Sequence, residues 1–273
     1  MRIGQSYWKP DCFLWTDIIS SNADSSLSQL RSNVLCELNK VNIRKGRLFA
    51  QALIMLIIFD VEGVLLNAEY LPVLAQMMGP EKEKEIWDIT KQGIRGDINW
   101  EEGLIRRVEA LRGISFQDAR RIGASLEIMP GAKELCSALK SAGWKMVAVS
   151  GGFTIITDRL KSELGIDKIF SNELIFDDDG RLDGLNLQVT SDKAAAINPT
   201  IREWGIRKED TVVVVDGAND LKLFGLASFT VGFCPVDIVK QNADAVIEIH
   251  DLTLLLNMLE KKFGKTALVA KTQ

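Results

Sequence analysis

Leu53-Ile-Met-Leu-Ile-Ile-Phe59-Asp60-Val61-Glu62-Gly63 is an unbroken apolar run that stops at two carboxylates. It shows no alternation of apolar and polar positions, so it reads as a strand buried on both faces, the kind found in parallel sheets. The same design recurs further along the chain. Lys145–Val149 is apolar after its lysine and ends in Ser150-Gly151-Gly152, and the β-branched run Thr211–Val215 ends at Asp216-Gly217-Ala218-Asn219-Asp220. Phe229–Phe233 and Ala245–Ile249 supply two more strands. Spacing predicts helices over Ala132–Gly143, Thr154–Gly165, Asp192–Trp204 and Leu221–Leu226, with a turn of helix at Ile238–Gln241. Strands alternating with helices predict an α/β fold, a Rossmann-like doubly wound parallel sheet.

The segment between Asp60 and Lys145 is purely helical in pattern: Ala68–Gly79, Glu81–Gly93, Asn99–Gly113 and Ser115–Ser125, the last with Ser115 as N-cap. It is too long for a simple crossover and predicts a helical cap inserted after the first strand. The expected division is a core over 53–66 and 132–260, a cap over 67–131 and a tail over 261–273. Phe176-Asp-Asp-Asp-Gly180-Arg-Leu182 reads as a solvated β-hairpin turn between two short strands. Residues 1–52 carry a serine-rich stretch, Ser20–Ser28, and no strand–helix alternation. They are expected to form a poorly structured extension, with Met55 an alternative start of translation.

Composition narrows the function classes. The 273 residues are 47% hydrophobic and 26% charged, with a formal net charge of -4. A mildly acidic chain offers no electrostatic reason to bind nucleic acid or an anionic membrane. The longest apolar run, Ala52–Phe59, is too short to span a bilayer. The first fifteen residues lack the apolar stretch of a secretory signal, and Cys12, Cys36, Cys136 and Cys234 match no metal or redox spacing. A cytoplasmic protein with reduced thiols is the expectation, with Cys234 a small core residue. The single histidine, His250, is expected to be structural, which argues against a Ser-His-Asp hydrolase. Trp87 and Trp100 fall at core-like spacing in the cap, and Trp100 also suits a pocket wall.

The carboxyl ends of parallel strands meet at one sheet edge, so residues far apart in sequence converge there. Asp60 and Glu62 sit two apart on extended chain and point the same way. One carboxylate can attack phosphorus while the other moves a proton; on its own, such a pair equally suits capping of the next helix. Asp216 and Asp220 change the balance. Several carboxylates at one edge repel unless a hard cation neutralises them, and Mg²⁺ with oxygen ligands fits. Ser150-Gly151-Gly152 offers a hydroxyl and unhindered N–H groups at a helix start, either a phosphate cradle or a plain turn. Lys193, just inside a helix, can neutralise phosphoryl charge or simply face solvent.

Asp60-Val-Glu-Gly-Val-Leu, Val-Ser150-Gly-Gly-Phe, Lys193 and Asp216-Gly-Ala-Asn-Asp220 occur in the order of the four motifs of the haloacid dehalogenase-like superfamily, which the chain resembles over residues 53–255. Within it the chain looks like the phosphoserine phosphatase family: Asn67-Ala-Glu69, Ile89-Thr-Lys-Gln-Gly-Ile-Arg-Gly96 with Trp100 and Arg107, Gly151-Gly152-Phe153, Asn172-Glu-Leu and Phe233-Cys-Pro all fit. The resemblance implies a magnesium-dependent enzyme that removes phosphate from O-phosphoserine through an aspartyl-phosphate on Asp60. It further implies Glu62 as acid/base and the metal held by Asp60, Asp216 and the Glu62 main-chain carbonyl, with Asp220 behind them. Ser150, Gly151, Lys193 and Asn219 would hold the phosphate, Glu69 the substrate ammonium and Arg107 its carboxylate. The partner it implies is a small phosphorylated amino acid, and a homodimer is the assembly expectation. The family normally carries aspartate at position 62 and Ser-Thr at 63–64. The Asp-x-Glu-Gly-Val-Leu form resembles phosphoserine–homoserine phosphotransferases instead, whereas the Ser150 and Asp216 motifs are of the phosphatase kind. A phosphotransferase, or a phosphatase for another small phosphomonoester, is the alternative.

Overall fold

The structure, a computed structural model, describes residues 54–269. The expectations for the N-terminal extension, for Cys12 and Cys36, and for the last four residues of the tail lie outside them. Seven strands form one sheet: β1 (Leu56–Phe59), β2 (Lys145–Phe153), β3 (Lys168–Phe176), β4 (Leu182–Asn186), β5 (Thr211–Val215), β6 (Phe229–Phe233) and β7 (Ala245–Ile247). Their order is β4-β3-β2-β1-β5-β6-β7; all neighbours run parallel except β3 and β4, which are joined by the expected hairpin. β1 lies at the centre, paired to β2 on one side and β5 on the other, Ile58 opposite both Val147 and Val213. The chain winds away from β1 in both directions, so the crevice above its carboxyl end is where such a sheet binds ligands.

The apolar runs are continuous because both faces are covered. Ile57, Phe59, Met146, Val212 and Val214 pack into one core with Leu135 and Leu139 of α5 (Ala132–Ser141), Ile156 and Leu160 of α6 (Thr154–Leu164), and Leu255 and Leu259 of α9 (Leu254–Phe263). Leu56, Ile58, Val147, Val213 and Val215 face the other way, against Ile197 of α7 (Lys193–Trp204) and Val239 of α8 (Asp237–Asn242). Burying each such side chain is worth roughly 1.5–3 kcal/mol.

Four helices intervene between β1 and α5: α1 (Tyr70–Ala75), α2 (Pro80–Arg95), α3 (Trp100–Glu109) and α4 (Phe116–Ser125). Their ends follow local chemistry. Pro80 opens α2 and Gly96, at φ 79°, closes it, while Asn99 and Ser115 cap α3 and α4 by accepting the N–H groups of Glu102 and Asp118. Tyr70, Leu74, Ile86, Leu104 and Val108 bury themselves continuously with the first core. The α3–α4 turn is stitched to the β3–β4 hairpin by main-chain bonds from Gly113 and Phe116 to Leu182 and Gly180.

Six details differ from the sequence reading. β2 continues to Phe153 instead of ending at Val149, its register shifting where Gly151 and Gly152 let the chain re-pair with Asn172. The predicted helix Leu221–Leu226 is a tighter 3₁₀ segment over Ala218–Leu226, rich in the weak helix formers Asn219, Asp220 and Gly225. β7 stops at Ile247, after the bond from Cys234 N–H to the Ile247 carbonyl, and leaves Ile249 exposed. Residues after β7 form α9, whose Phe263 packs edge-on against Trp144 and Phe229. Trp87 is half-buried on the cap surface under Lys91 and is no core residue, while Cys234 is half-buried at φ 43°. His250 stacks on Phe233, the structural place expected for it. No described helix is long and apolar enough to cross a membrane.

Candidate active site

At the carboxyl edge of the sheet, beneath the inserted helices α1, α2 and α3, lies a cleft. It is lined by Asp60 and Glu62 from the end of β1, Ser150, Gly151 and Gly152 from β2, Lys193 from the start of α7, and Asp216 and Asn219 after β5. Its roof carries Glu69, Thr90, Ile94, Trp100, Leu104 and Arg107. Of the ten residues proposed from the sequence, only Asp220 does not line the cleft; it lies fully buried behind it.

Lys193 organises the floor. Asp192 caps α7 by accepting the Ala195 N–H, which places Lys193 in the first turn with its side chain aimed back at the sheet. Its ammonium lies 2.8 Å from Asp60 Oδ1 and 2.6 Å from Asp220 Oδ1, and all three groups are buried. Burial alone would push the lysine pKa down; the charges of Asp220 and Asp60 outweigh it and hold the ammonium firmly protonated.

One lysine does not balance the acids around it. One oxygen each from Asp60, Asp216 and Asp220 lie within 4.8 Å of one another. Burial and then the charge of Asp60 push Asp216 up to about 8, and the same causes raise Asp220 well above the usual carboxylate range. Neither Asp220 oxygen has a properly directed hydrogen-bond donor, the 2.6 Å approach of Lys193 being a close ion contact. A buried carboxylate short of donors beside two others is the donor set a hard divalent cation takes, so these residues fit Mg²⁺. Gly63 makes the arrangement sterically feasible. It adopts φ 78°, and a Cβ there would collide with the Asp216 carboxylate.

Glu62 reaches further than an aspartate would, and two neighbours take up the extra length. Its Oε1 accepts the N–H of Tyr70, the first residue of α1, at 2.6 Å, and its Oε2 lies where a Cβ on Gly152 would stand. Burial raises the Glu62 pKa against the lowering effects of that N–H and of Arg107. Glu69 is raised further, by burial and then by Glu62 and Asp216. Arg107 is lowered by burial but supported by Glu69 and Glu62. The roof is therefore a desolvated acid and a desolvated guanidinium that partly compensate each other.

Several contributors escaped the sequence reading. Thr90 donates to the Ile86 carbonyl and accepts from Arg107 Nη1 at 3.0 Å, fixing the guanidinium, whose Nε bonds the Gly103 carbonyl. A hydroxyl on the apolar stripe of Ile86, Ile89 and Gly93 was the available signal. Trp100 lies over Gly151 so closely that any side chain there would strike the indole, which bears out its place as a pocket wall. The main-chain N–H of Tyr70 carried no signal at all.

Comparison with known proteins gives concordant results. Residues 54–227 match the model of the haloacid dehalogenase-like hydrolases. The chain is 38% identical over 208 residues to a phosphoserine phosphatase of Archaeoglobus fulgidus, a match that covers 75% of this chain but only 60% of that relative. It is 35% identical to the phosphoserine phosphatase of Methanocaldococcus jannaschii, covering 75% of this chain and 97% of the relative. Among solved structures it resembles a phospho-aspartyl intermediate analogue of phosphoserine phosphatase, with a TM-score of 0.72, 34% identity, and 76% and 99% of the two chains covered.

Proposed function

Because the chain belongs to the haloacid dehalogenase-like hydrolase family, we propose that it is a magnesium-dependent phosphatase that hydrolyses O-phosphoserine through an aspartyl-phosphate on Asp60. The observation that carries the reading is the Asp60–Lys193 ion pair on the cleft floor, backed by the buried Asp220 and facing Glu69 and Arg107 on the roof. A floor built for a phosphoryl group and a roof built for a zwitterion together select a phosphorylated amino acid.

Each residue then has a task. Lys193, Ser150, the Gly151 N–H and Asn219 hold the phosphoryl oxygens, and Arg107 and Glu69 take the carboxylate and ammonium. An Asp60 oxygen attacks phosphorus, and the bond to the serine oxygen breaks. Glu62, whose raised pKa lets it carry a proton, gives that proton to the departing alkoxide. Water then attacks the phosphoryl group on Asp60, Glu62 takes its proton back, and phosphate leaves. Asp60, Asp216 and the Glu62 carbonyl, backed by Asp220, would hold Mg²⁺, which supplies charge neutralisation for the transferring phosphoryl group. Trp100 and Leu104 exclude bulk water from the closed cleft.

The test is incubation with phosphoserine and Mg²⁺, with and without homoserine, measuring free phosphate and phosphohomoserine. Free phosphate alone supports the reading; phosphohomoserine would move the chain to the phosphotransferases. Asp60→Asn abolishes phosphate release, and surviving turnover would remove Asp60 as nucleophile.

A further inference from the structure

Asn172 stands at the end of the parallel pairing between β2 and β3, opposite Phe153, and is completely buried. Asparagine is a poor strand residue, and a buried amide is costly unless its donors and acceptors are met. Here three of them are. Nδ2 donates to the Gly151 carbonyl at 2.9 Å, and Oδ1 accepts the N–H groups of Gln188 and Val189, each at 2.8 Å. The opposite amide orientation would set acceptor against acceptor and donor against two donors, so the network itself fixes which way the group points.

Both ends of this bridge lead to the phosphate-holding residues. The Gly151 carbonyl and the Gly152 N–H belong to one planar peptide, so fixing the first aims the second in the opposite direction. That N–H donates to Ser150 Oγ at 2.8 Å. With an oxygen lone pair engaged there, the Ser150 hydroxyl keeps its proton to give to another acceptor. At the other end, Val189 is buried and lies four residues before Lys193, with Asp192 capping the helix between them. Asn172 does not line the cleft.

We propose that Asn172 is a positioning residue, a single buried amide that sets the Ser150 hydroxyl through the Gly151–Gly152 peptide. The inference rests on the reading of Ser150 and Gly151 as holders of the phosphoryl group.

Asn172→Ala would leave two N–H groups and a carbonyl without their partner, the Val189 N–H among them buried, and risks unfolding. Asn172→Asp is the sharper probe, because it keeps an acceptor for Gln188 and Val189 and replaces only the donor to Gly151. The experiment is a double-mutant cycle of Asn172→Asp with Ser150→Ala, on the full chain with Mg²⁺. It is run at alkaline pH, where the introduced carboxyl is ionised, and below the lowest thermal midpoint of the four proteins. The substrate is p-nitrophenyl phosphate, with inorganic phosphate as inhibitor. Asn172→Asp is expected to lower kcat/KM about 100-fold in the wild-type background, as small misplacements of reacting groups do. It should weaken phosphate inhibition there too, yet cost no more than about threefold once Ser150 is alanine, since the two act as one unit. An equal loss in both backgrounds, or no loss in the wild type, overturns the proposal. A wild-type protein that cleaves p-nitrophenyl phosphate but not phosphoserine fails the substrate reading, and the cycle still decides this one.

Discussion

Lys193→Met removes the one cation that bridges Asp60 and Asp220 while roughly conserving volume. The lysine is 2% exposed, Asp60 6% and Asp220 0%, so water cannot take over its role. Without it, at least one further carboxyl must accept a proton to avoid an uncompensated buried charge. At about 1.4 kcal/mol per pH unit, keeping an aspartate protonated at about pH 7, some three units above its ordinary range, costs about 4 kcal/mol. That agrees with the roughly 3–5 kcal/mol lost when one member of a buried ion pair is deleted. The loss is conditional. It shrinks as the pH falls toward the ordinary aspartate range, where protonation becomes free, and it shrinks when Mg²⁺ supplies the missing positive charge. Urea unfolding of wild type and variant, in chelator at about pH 7 and about pH 5 and then with Mg²⁺, reads all three quantities. A loss that is the same at both pH values, or none at all, would refute the electrostatic account. Turnover should fall by about 10²–10³ even with Mg²⁺ present, because the phosphoryl charge loses its lysine.

Arg107→Ala should raise KM for phosphoserine far more than for an uncharged aryl phosphate; equal effects would remove Arg107 from the carboxylate site. Thr90→Val leaves one guanidinium N–H of Arg107 unpaired, a cost of about 1–3 kcal/mol, and should raise the same KM selectively while Thr90→Ser restores it. Gly152→Ala places a methyl against Glu62 Oε2 and Ser150 Oγ and should cut turnover by about 100-fold; Glu62→Asp, being shorter, should relieve part of that loss, as steady-state assays of the four proteins would show. The metal-free protein should lose stability as pH rises from about 4 to about 8. Asp216, raised to about 8, keeps a proton in the folded state that the unfolded chain has released, so the folded form binds more protons and stability falls with pH; Mg²⁺ should flatten that slope in urea titrations.

The sheet was legible because its strands are long enough, and apolar enough, to be read without partners, and because the chemistry sits at their ends. Asp60, Ser150 and Asp216 are each the first polar residue after a buried run, which is enough to place them at one sheet edge. Lys193 was legible only through the family pattern. Its contact with Asp60 spans 133 positions, and no local periodicity distinguishes it from a solvated lysine. The extension of β2 to Phe153 was missed because Gly151-Gly152 signals a break locally, whereas the paired β3 strand keeps the chain extended. Thr90, the Tyr70 N–H and the Asn172 bridge were missed because each acts through main-chain groups or through another side chain, which a sequence does not display.

Glu62 is where sequence pattern and geometry pull hardest against each other. The resemblance makes aspartate the usual residue, and an added methylene ought to push the carboxylate into the space of the transferring group. The fold avoids this by turning the longer side chain aside. Tyr70, at the first turn of α1, offers a main-chain N–H and the favourable end of a helix dipole to one oxygen, and the bare backbone of Gly152 makes room for the other. The carboxyl is held beside the Ser150 turn, with its pKa raised by burial, in a state suited to give up a proton and recover it. The same anchoring ties Glu62 to the cap, because the N–H that holds it belongs to the short helix that carries the cap core residues Leu71 and Leu74. A displacement of α1 would thus release the Glu62 carboxyl along with Glu69, which directly precedes that helix. On the proposed mechanism, an alcohol could replace water only where the cap admits it beside Glu62, so the homoserine test reads the shape of the roof as well as the identity of residue 62.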